Sequence, residues 1–266
     1  MLRDAGYQAY LVGGCVRDLV LGREPADYDV ATEALPERVQ QLFPDSVAVG
    51  ARFGVILVVE DSVQVEVATF RSDVGYSDGR HPDRVVYSRS PEEDVQRRDF
   101  TINGLLMDPR TGEVLDFVGG RADLHAGLVR AIGEPELRFR EDKLRMVRAV
   151  RFAARFGYAI EPATLAAIAR LAPQVTRVSA ERLRDELTKL LTEGAARRGF
   201  ELLDEARLLG VELASLSHGA KQLDLLDVGR REKLERLARA ADRLRDRFGF
   251  DKVQFGGSLE TPQDGS

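Results

Sequence analysis

One cysteine in 266 residues, Cys15, excludes an internal disulfide and fits a reducing, cytoplasmic setting. Three scattered histidines make no zinc-ligand spacing. No apolar run approaches the roughly 20 residues that span a bilayer, so no membrane partner is expected. The opening MLRDAGYQAY lacks the charged-then-apolar order of a signal peptide. Excess positive charge is missing too: the net charge is −5, so total charge alone does not draw this chain to nucleic acid. There is no internal repeat. What remains, 44% hydrophobic and 31% charged residues, is ordinary globular composition, long enough for one large domain or two smaller ones.

Charge is unevenly spread. Residues 138–155, RFREDKLRMVRAVRFAAR, hold six arginines and one lysine against Glu141 and Asp142, a local balance of +5. The first part of the chain reads as mixed α/β. YQAYLVGG predicts a strand entering a glycine turn and CVRDLVLG a short helix, followed by a strand in DYDVAT. Thr32 is placed to cap a helix through EALPERVQQLF. FGVILVVED and SVQVEVATF predict two strands joined by a tight turn, with Val63, Val65 and Val67 on one face. Residues 72–92, rich in Gly, Pro, Ser and Asp, read mostly as loop. EVLDFVGG predicts a further short strand. From about residue 126 helical periodicity takes over, with EDKLRMVRAVRFAARFG long enough for four turns. Pro162 and Ser179 mark the starts of two more helices. Residues 215 onward alternate charged and apolar residues at helical spacing, as a solvated amphipathic helix does, and the last eight read as a disordered end.

Three motifs point to chemistry. In LVGGCVRDLVLGREPADYDVAT, Asp27 and Asp29 would project from the same face of a strand, and two like charges so close call for a divalent cation. Gly13 and Gly14, before a helix N-terminus, would let phosphate approach the backbone, and Arg17 one turn on would add a charged contact. A plain strand-to-helix turn explains the glycines equally. In RRDFTINGLLMD, Arg98 and Asp99 would pair and aim a guanidinium at a triphosphate; the alternative is a structural salt bridge at a helix start capped by Asp99 or Thr101. In EDKLRMVRAVRF, Arg145, Arg148, Arg151 and Arg155 fall on one helix face, opposite Met146, Val147, Val150, Ala153 and Ala154. A solvated face would interleave acids, and none stands between Asp142 and the helix end, so the ridge is expected to face a polyanion. Asp142 and Arg145, three apart, would offer an acceptor beside a donor. Cytosine and adenine complement that pair on their Watson–Crick edges; guanine and uracil do not.

These motifs resemble the class II tRNA nucleotidyltransferases, the CCA-adding enzymes, and the related bacterial poly(A) polymerases. The likeness runs in order through LVGGCVRD, DYDVAT, EVATFR, GRHPD, RRDFTING, LDFVGGRADL, RFREDKLRMVRAVRFAARFG and ERLRDELTKLL, over about residues 5–190. It implies an α/β + α fold: a nucleotidyltransferase head with a small mixed β-sheet and helices over residues 1–125, then an all-helical neck over 126–210. It implies catalytic Mg2+ at Asp27 and Asp29, triphosphate binding by Gly14, Arg17 and Arg98, and base pairing by Asp142 and Arg145, with Arg148 and Arg151 completing the pocket. Glu66 stands where a third carboxylate would help. The implied partners are CTP, ATP and the 3′ end of tRNA or another RNA; a non-catalytic nucleotide-binding module is the alternative of a different class. The 72–92 loop would move in the switch from C to A.

Two departures stand out. Gly104 replaces the family's usual alanine, a change expected to loosen a helix by ~1 kcal/mol. The family-like text also fades near residue 210 and begins abruptly, one helix short. Residues 211–266 are divergent. Within them 221–256 resemble the end of DNA polymerase IV-type proteins, and Gln222–Leu226, QLDLL, resembles a sliding-clamp docking peptide, although amphipathic packing accounts for it as well. A natural fusion, a truncated gene and an artefact of gene assignment all remain open for this ending.

Overall fold

A computed structural model describes residues 1–50, 53–60, 63–79, 82–193 and 195–209. The stretch from 211 to 266, including the helix and disordered end read there and Gln222–Leu226, lies outside the described residues.

Strand β1 (Ala9–Val12) runs into helix α1 (Gly14–Val20) through Gly13, whose φ of +75° only glycine takes up without strain. Strand β2 (Asp29–Thr32) returns antiparallel to β1, with Asp29 opposite Val12. It is shorter than expected. Asp27 lies in the bend before it, so the two aspartates do not share a strand face as predicted. Helix α2 (Pro36–Leu42) starts with Leu35 at its cap position. Thr32 does not cap it, because its hydroxyl donates to the Gln8 carbonyl (2.5 Å) and accepts from the Ala34 amide (3.2 Å).

Strands β3 (Ser46–Gly50), β4 (Val55–Glu60) and β5 (Val63–Thr69) follow, β4 and β5 forming the expected antiparallel pair. Val67 of β5 is buried and Val65 half-buried, while Val63 at the strand end is exposed. Residues 72–92 are largely turn and loop, as expected, but not throughout. They carry the antiparallel strands β6 (Arg71–Val74) and β7 (Arg84–Tyr87) and enter helix α3 (Pro91–Gln96), capped by the Ser90 hydroxyl on the Glu93 amide. The helix expected to start at Asp99 or Thr101 is a single 3-10 turn, Thr101–Asn103, followed by strand β8 (Leu105–Met107). Strand β9 (Val114–Asp116) and helix α4 (Gly120–Ala126) come next. The sheet order is β3-β4-β5-β2-β1-β8-β9, with β2 and β5 parallel and the other pairs antiparallel.

Gly104 is not inside a helix. It closes the 3-10 turn, and a Cβ there would lie 2.7 Å from Val118 Cγ2, so packing explains the missing methyl better than helix propensity.

Beyond α4 the described residues are mainly helical: α5 (Pro135–Glu141), α6 (Leu144–Phe156), α7 (Pro162–Leu171), α8 (Ala180–Thr192) and α9 (Ala196–Glu205). Two short strands, β10 (Leu128–Val129) and β11 (Ala159–Ile160), pair in parallel among them. Helix α6 buries Met146, Val147, Val150, Ala153 and Ala154, the apolar face read from the sequence, and ends at Gly157 with φ +70°. Its core continues into the sheet side through Cys15, Val16, Phe100 and Ile102, so one apolar cluster joins both parts of the chain across residue 125. That shared core fixes the walls of the cleft described next.

Candidate active site

A cleft of about 570 Å3 lies between the sheet and the helices. Its head wall carries Gly14, Arg17, Asp27, Asp29 and Arg98; its helical wall carries Asp142, Arg145, Arg148 and Arg151. All nine residues singled out from sequence therefore meet in one place, though several are held differently from expectation.

On the head wall, β1 and β2 bring the Gly13–Gly14 turn beside Asp29. A Cβ on Gly13 would lie 3.9 Å from Asp29 Oδ2 and 3.4 Å from Arg98 Nη1, so the bare backbone keeps this corner open. The parallel pairing of β2 with β5 sets Asp29 opposite Glu66. Burial raises the Asp29 carboxyl to about 6, the charges of Asp27 and Glu66 push the same way, and Arg98 opposes them. Arg17 is buried; its Nε donates to Asp18 (2.9 Å), its Nη1 to Asn103 Oδ1 (2.8 Å), and its guanidinium lies over the Phe156 ring at 4.6 Å. Burial holds its basicity below the arginine norm, against the pull of Asp18.

Among the described residues no three carboxylate, histidine or cysteine side chains are grouped so that one metal ion could be held by all of them. The candidate donor set is thus the pair Asp27 and Asp29 beside an open glycine turn. Two hard oxygen donors, with room for water and phosphate oxygens, fit Mg2+.

The expected pairing of Arg98 with Asp99 does not occur. Arg98 turns back along α3 to Asp94 (2.9 Å), and Asp99 reaches across to Arg148 (2.8 Å). Burial pushes Asp99 up, but Arg148 and Arg145 outweigh it and hold this carboxyl below the usual range. Nor is the arginine ridge of α6 without acids. Arg148 also meets Glu186, Arg151 pairs with Glu186 (2.6 Å) and Glu193 (3.0 Å), and Arg155 pairs with Glu193 (3.3 Å). The acids come from α8, from Glu193 just past its end and from residue 99, so a search along α6 alone misses them.

Asp142 is not on α6. It ends α5 in extended conformation, and its Oδ1 accepts the Leu144 amide (3.1 Å) at the start of α6. It pairs with Arg182 (2.7 Å), not with Arg145, which is held by Glu141 (2.6 Å) and by the carbonyls of Arg138 and Arg97. Both groups keep hydrogen-bonding capacity, since those bonds leave Arg145 with its Nε–H and one Nη2–H. Sequence reasoning missed Arg182, Glu186 and Asp94. The i,i+4 spacing of Asp94 and Arg98, and of Arg182 and Glu186, was the available signal.

Residues 9–130 match the poly A polymerase head domain, and residues 157–216 match the probable RNA and SrmB-binding site of polymerase A. The CCA-adding enzyme of Geobacillus stearothermophilus is 46% identical over 224 residues, covering 84% of this chain and 55% of that protein. That of Lactiplantibacillus plantarum is 49% identical over 190 residues, 71% of this chain and 46% of its own length. The crystal structure of the Bacillus stearothermophilus CCA-adding enzyme with CTP superposes with a TM-score of 0.74 at 41% identity, covering 91% of this chain and 54% of that one. The Thermotoga maritima CCA-adding enzyme in complex with tRNA gives 0.71 at 26% identity, covering 93% and 56%. The chain spans about half the length of the curated relatives it matches. Head, sheet, helices and motifs agree, and the chain belongs to the family of CCA-adding enzymes and bacterial poly(A) polymerases.

Proposed function

We propose that this chain is a nucleotidyltransferase that adds C, A or both to the 3′ end of tRNA from CTP and ATP, releasing pyrophosphate. One observation carries the reading: a single cleft gathers a glycine turn, a carboxylate pair and a set of oriented arginines. The relatives this chain matches are CCA-adding enzymes, one of them solved with CTP. Residues 1–125 would act as the catalytic head and 126–210 as the neck that reads the base and meets RNA, leaving 211–266 as a separate C-terminal segment. A cytoplasmic setting accords with the single, buried Cys15.

The RNA 3′-hydroxyl gives up its proton and attacks the α-phosphate; the new O–P bond replaces the bond to the bridging oxygen, and pyrophosphate leaves with that electron pair. Asp27 and Asp29 are the residues that would hold Mg2+, which when bound supplies the charge that eases deprotonation and steadies the leaving oxygens. The Gly13–Gly14 turn admits the triphosphate to the backbone, and Arg17 and Arg98 neutralise it. Arg148 and Arg151, already fixed by their acids, spend no further rotamer freedom on binding. Asp142 accepts from the amino group of C or A while Arg145 donates to the ring nitrogen. G and U present the opposite pattern and would leave both groups unpaired.

The test supplies tRNA lacking its terminal CCA with each labelled nucleotide singly and then together, using Asp27→Ala/Asp29→Ala as control. Ordered C, C, A addition that stops is the expected result; long A tracts would reassign the chain to poly(A) synthesis. No incorporation over the control would refute the reading. Asp142→Ala is expected to admit UTP.

A further inference from the structure

Asp94 is a buried acid for which the proposed reaction has no use. Its side chain is fully buried in the first turn of α3 and does not line the cleft. Oδ1 accepts from Nε and Nη2 of Arg97 at 2.9 and 2.7 Å, and more weakly from the Arg71 amide at 3.4 Å. Oδ2 accepts from Nε and Nη2 of Arg98 at 3.3 and 2.9 Å. One carboxylate thus grips two successive guanidiniums, each by the same two nitrogens. Arg98 Nη1 is left out of that grip, and it is the atom 3.4 Å from where a Cβ on Gly13 would stand. The fork therefore fixes which nitrogen faces the glycine turn.

We propose that Asp94 is a positioning residue for nucleotide binding, holding Arg98 by Nε and Nη2 so that Nη1 is presented to phosphate at the Gly13–Gly14 turn. This rests on the function proposed above. A carboxylate is needed here because a neutral amide cannot accept from both guanidiniums at once: its NH2 side would face a donor. Arg97, held by the other oxygen, pairs onward with Asp73 of β6 at 3.9 Å, so the same acid joins the β6–β7 hairpin to the site.

The experiment measures KM for CTP and kcat on the same tRNA for the full chain, Asp94→Asn, Arg98→Ala and the double variant. Glu161→Gln, which disturbs the N-terminal cap of α7 away from the cleft, serves as the structural control. Asp94→Asn is expected to raise KM about tenfold with kcat much less affected, as loss of an outer-shell partner does. The double variant is expected to match Arg98→Ala within about twofold, because one residue acts through the other. Glu161→Gln is expected to lower Tm and leave KM alone. An Asp94→Asn KM unchanged from the parent, or effects that multiply in the double variant, would overturn the proposal. If Asp94→Asn does not fold, Asp94→Glu, which displaces the fork by one methylene, takes its place with the same expected coupling to Arg98→Ala. A parent protein that adds no nucleotide refutes the function instead; CTP binding by calorimetry on the same variants then decides on Asp94 separately, with the same coupling expected.

Discussion

On the head wall of the cleft, Asp29 stands with Asp27 and Glu66 around it, and burial and repulsion together lift its carboxyl to about 6. On the helical wall, Arg145, Arg148, Arg151 and Arg155 each have a carboxylate within 3.5 Å, supplied by Glu141, Asp99, Glu186 and Glu193. On the head wall the carboxylates repel one another with Arg98 opposing them in part; the helical wall has balanced its charge pair by pair. The carboxylates therefore need something from outside, and the arginines need only share what they have. A cation and a polyphosphate arriving together suit both walls.

The difference can be broken most sharply by removing the carboxylates. Asp27→Ala/Asp29→Ala is expected to bring nucleotide addition to background while Tm, followed by circular dichroism, holds or rises, because a repulsive pair has gone. Arg151→Ala should do the reverse in part. It strips buried Glu186 of its 2.6 Å partner and leaves it only Arg148 at 3.5 Å, so stability should fall by about 2 kcal/mol in urea unfolding, together with nucleotide affinity.

pH separates the walls without mutation. Asp29 holds its proton more tightly folded than unfolded, so the metal-free protein should lose stability as pH rises from about 4 to about 6, and Asp29→Asn should flatten that slope. Asp94 and Asp99, held low by arginines despite burial, contribute stability above the ordinary carboxyl range that is lost only as pH falls below it. RNA binding should weaken steeply with salt, since arginine–phosphate contacts release counterions; a salt-indifferent affinity would mean the ridge does not face RNA. The smallest effect concerns packing. Gly104→Ala meets Val118 and should cost about 1 kcal/mol of stability, with KM for CTP unchanged.

Much of this was legible in sequence. β1 entering α1, the β4–β5 hairpin and the apolar face of α6 follow from local periodicity, and each formed. β8 carries three residues, too few to show a period, and the hairpin at 71–87 hides in turn-forming composition. The residues of the cleft were legible as types; their partners were not. Arg148 meets Asp99 across 49 positions, Arg151 meets Glu186 across 35, and Asp142 meets Arg182 across 40. Such pairs are set by how α8 packs on α6, which no window along the chain contains. Asp142 reads as helical in sequence because it sits two residues before α6, and its side chain starts that helix from outside it.

The most direct measurement is a crystal structure of the full chain with CTP and Mn2+, read from the anomalous signal. The account predicts manganese at Asp27 and Asp29, triphosphate against Gly13–Gly14 and Arg98, and the cytosine edge on Asp142 and Arg145. Nucleotide bound elsewhere, or bound in the cleft with its base away from Asp142 and its phosphates away from the carboxylate pair, would contradict it.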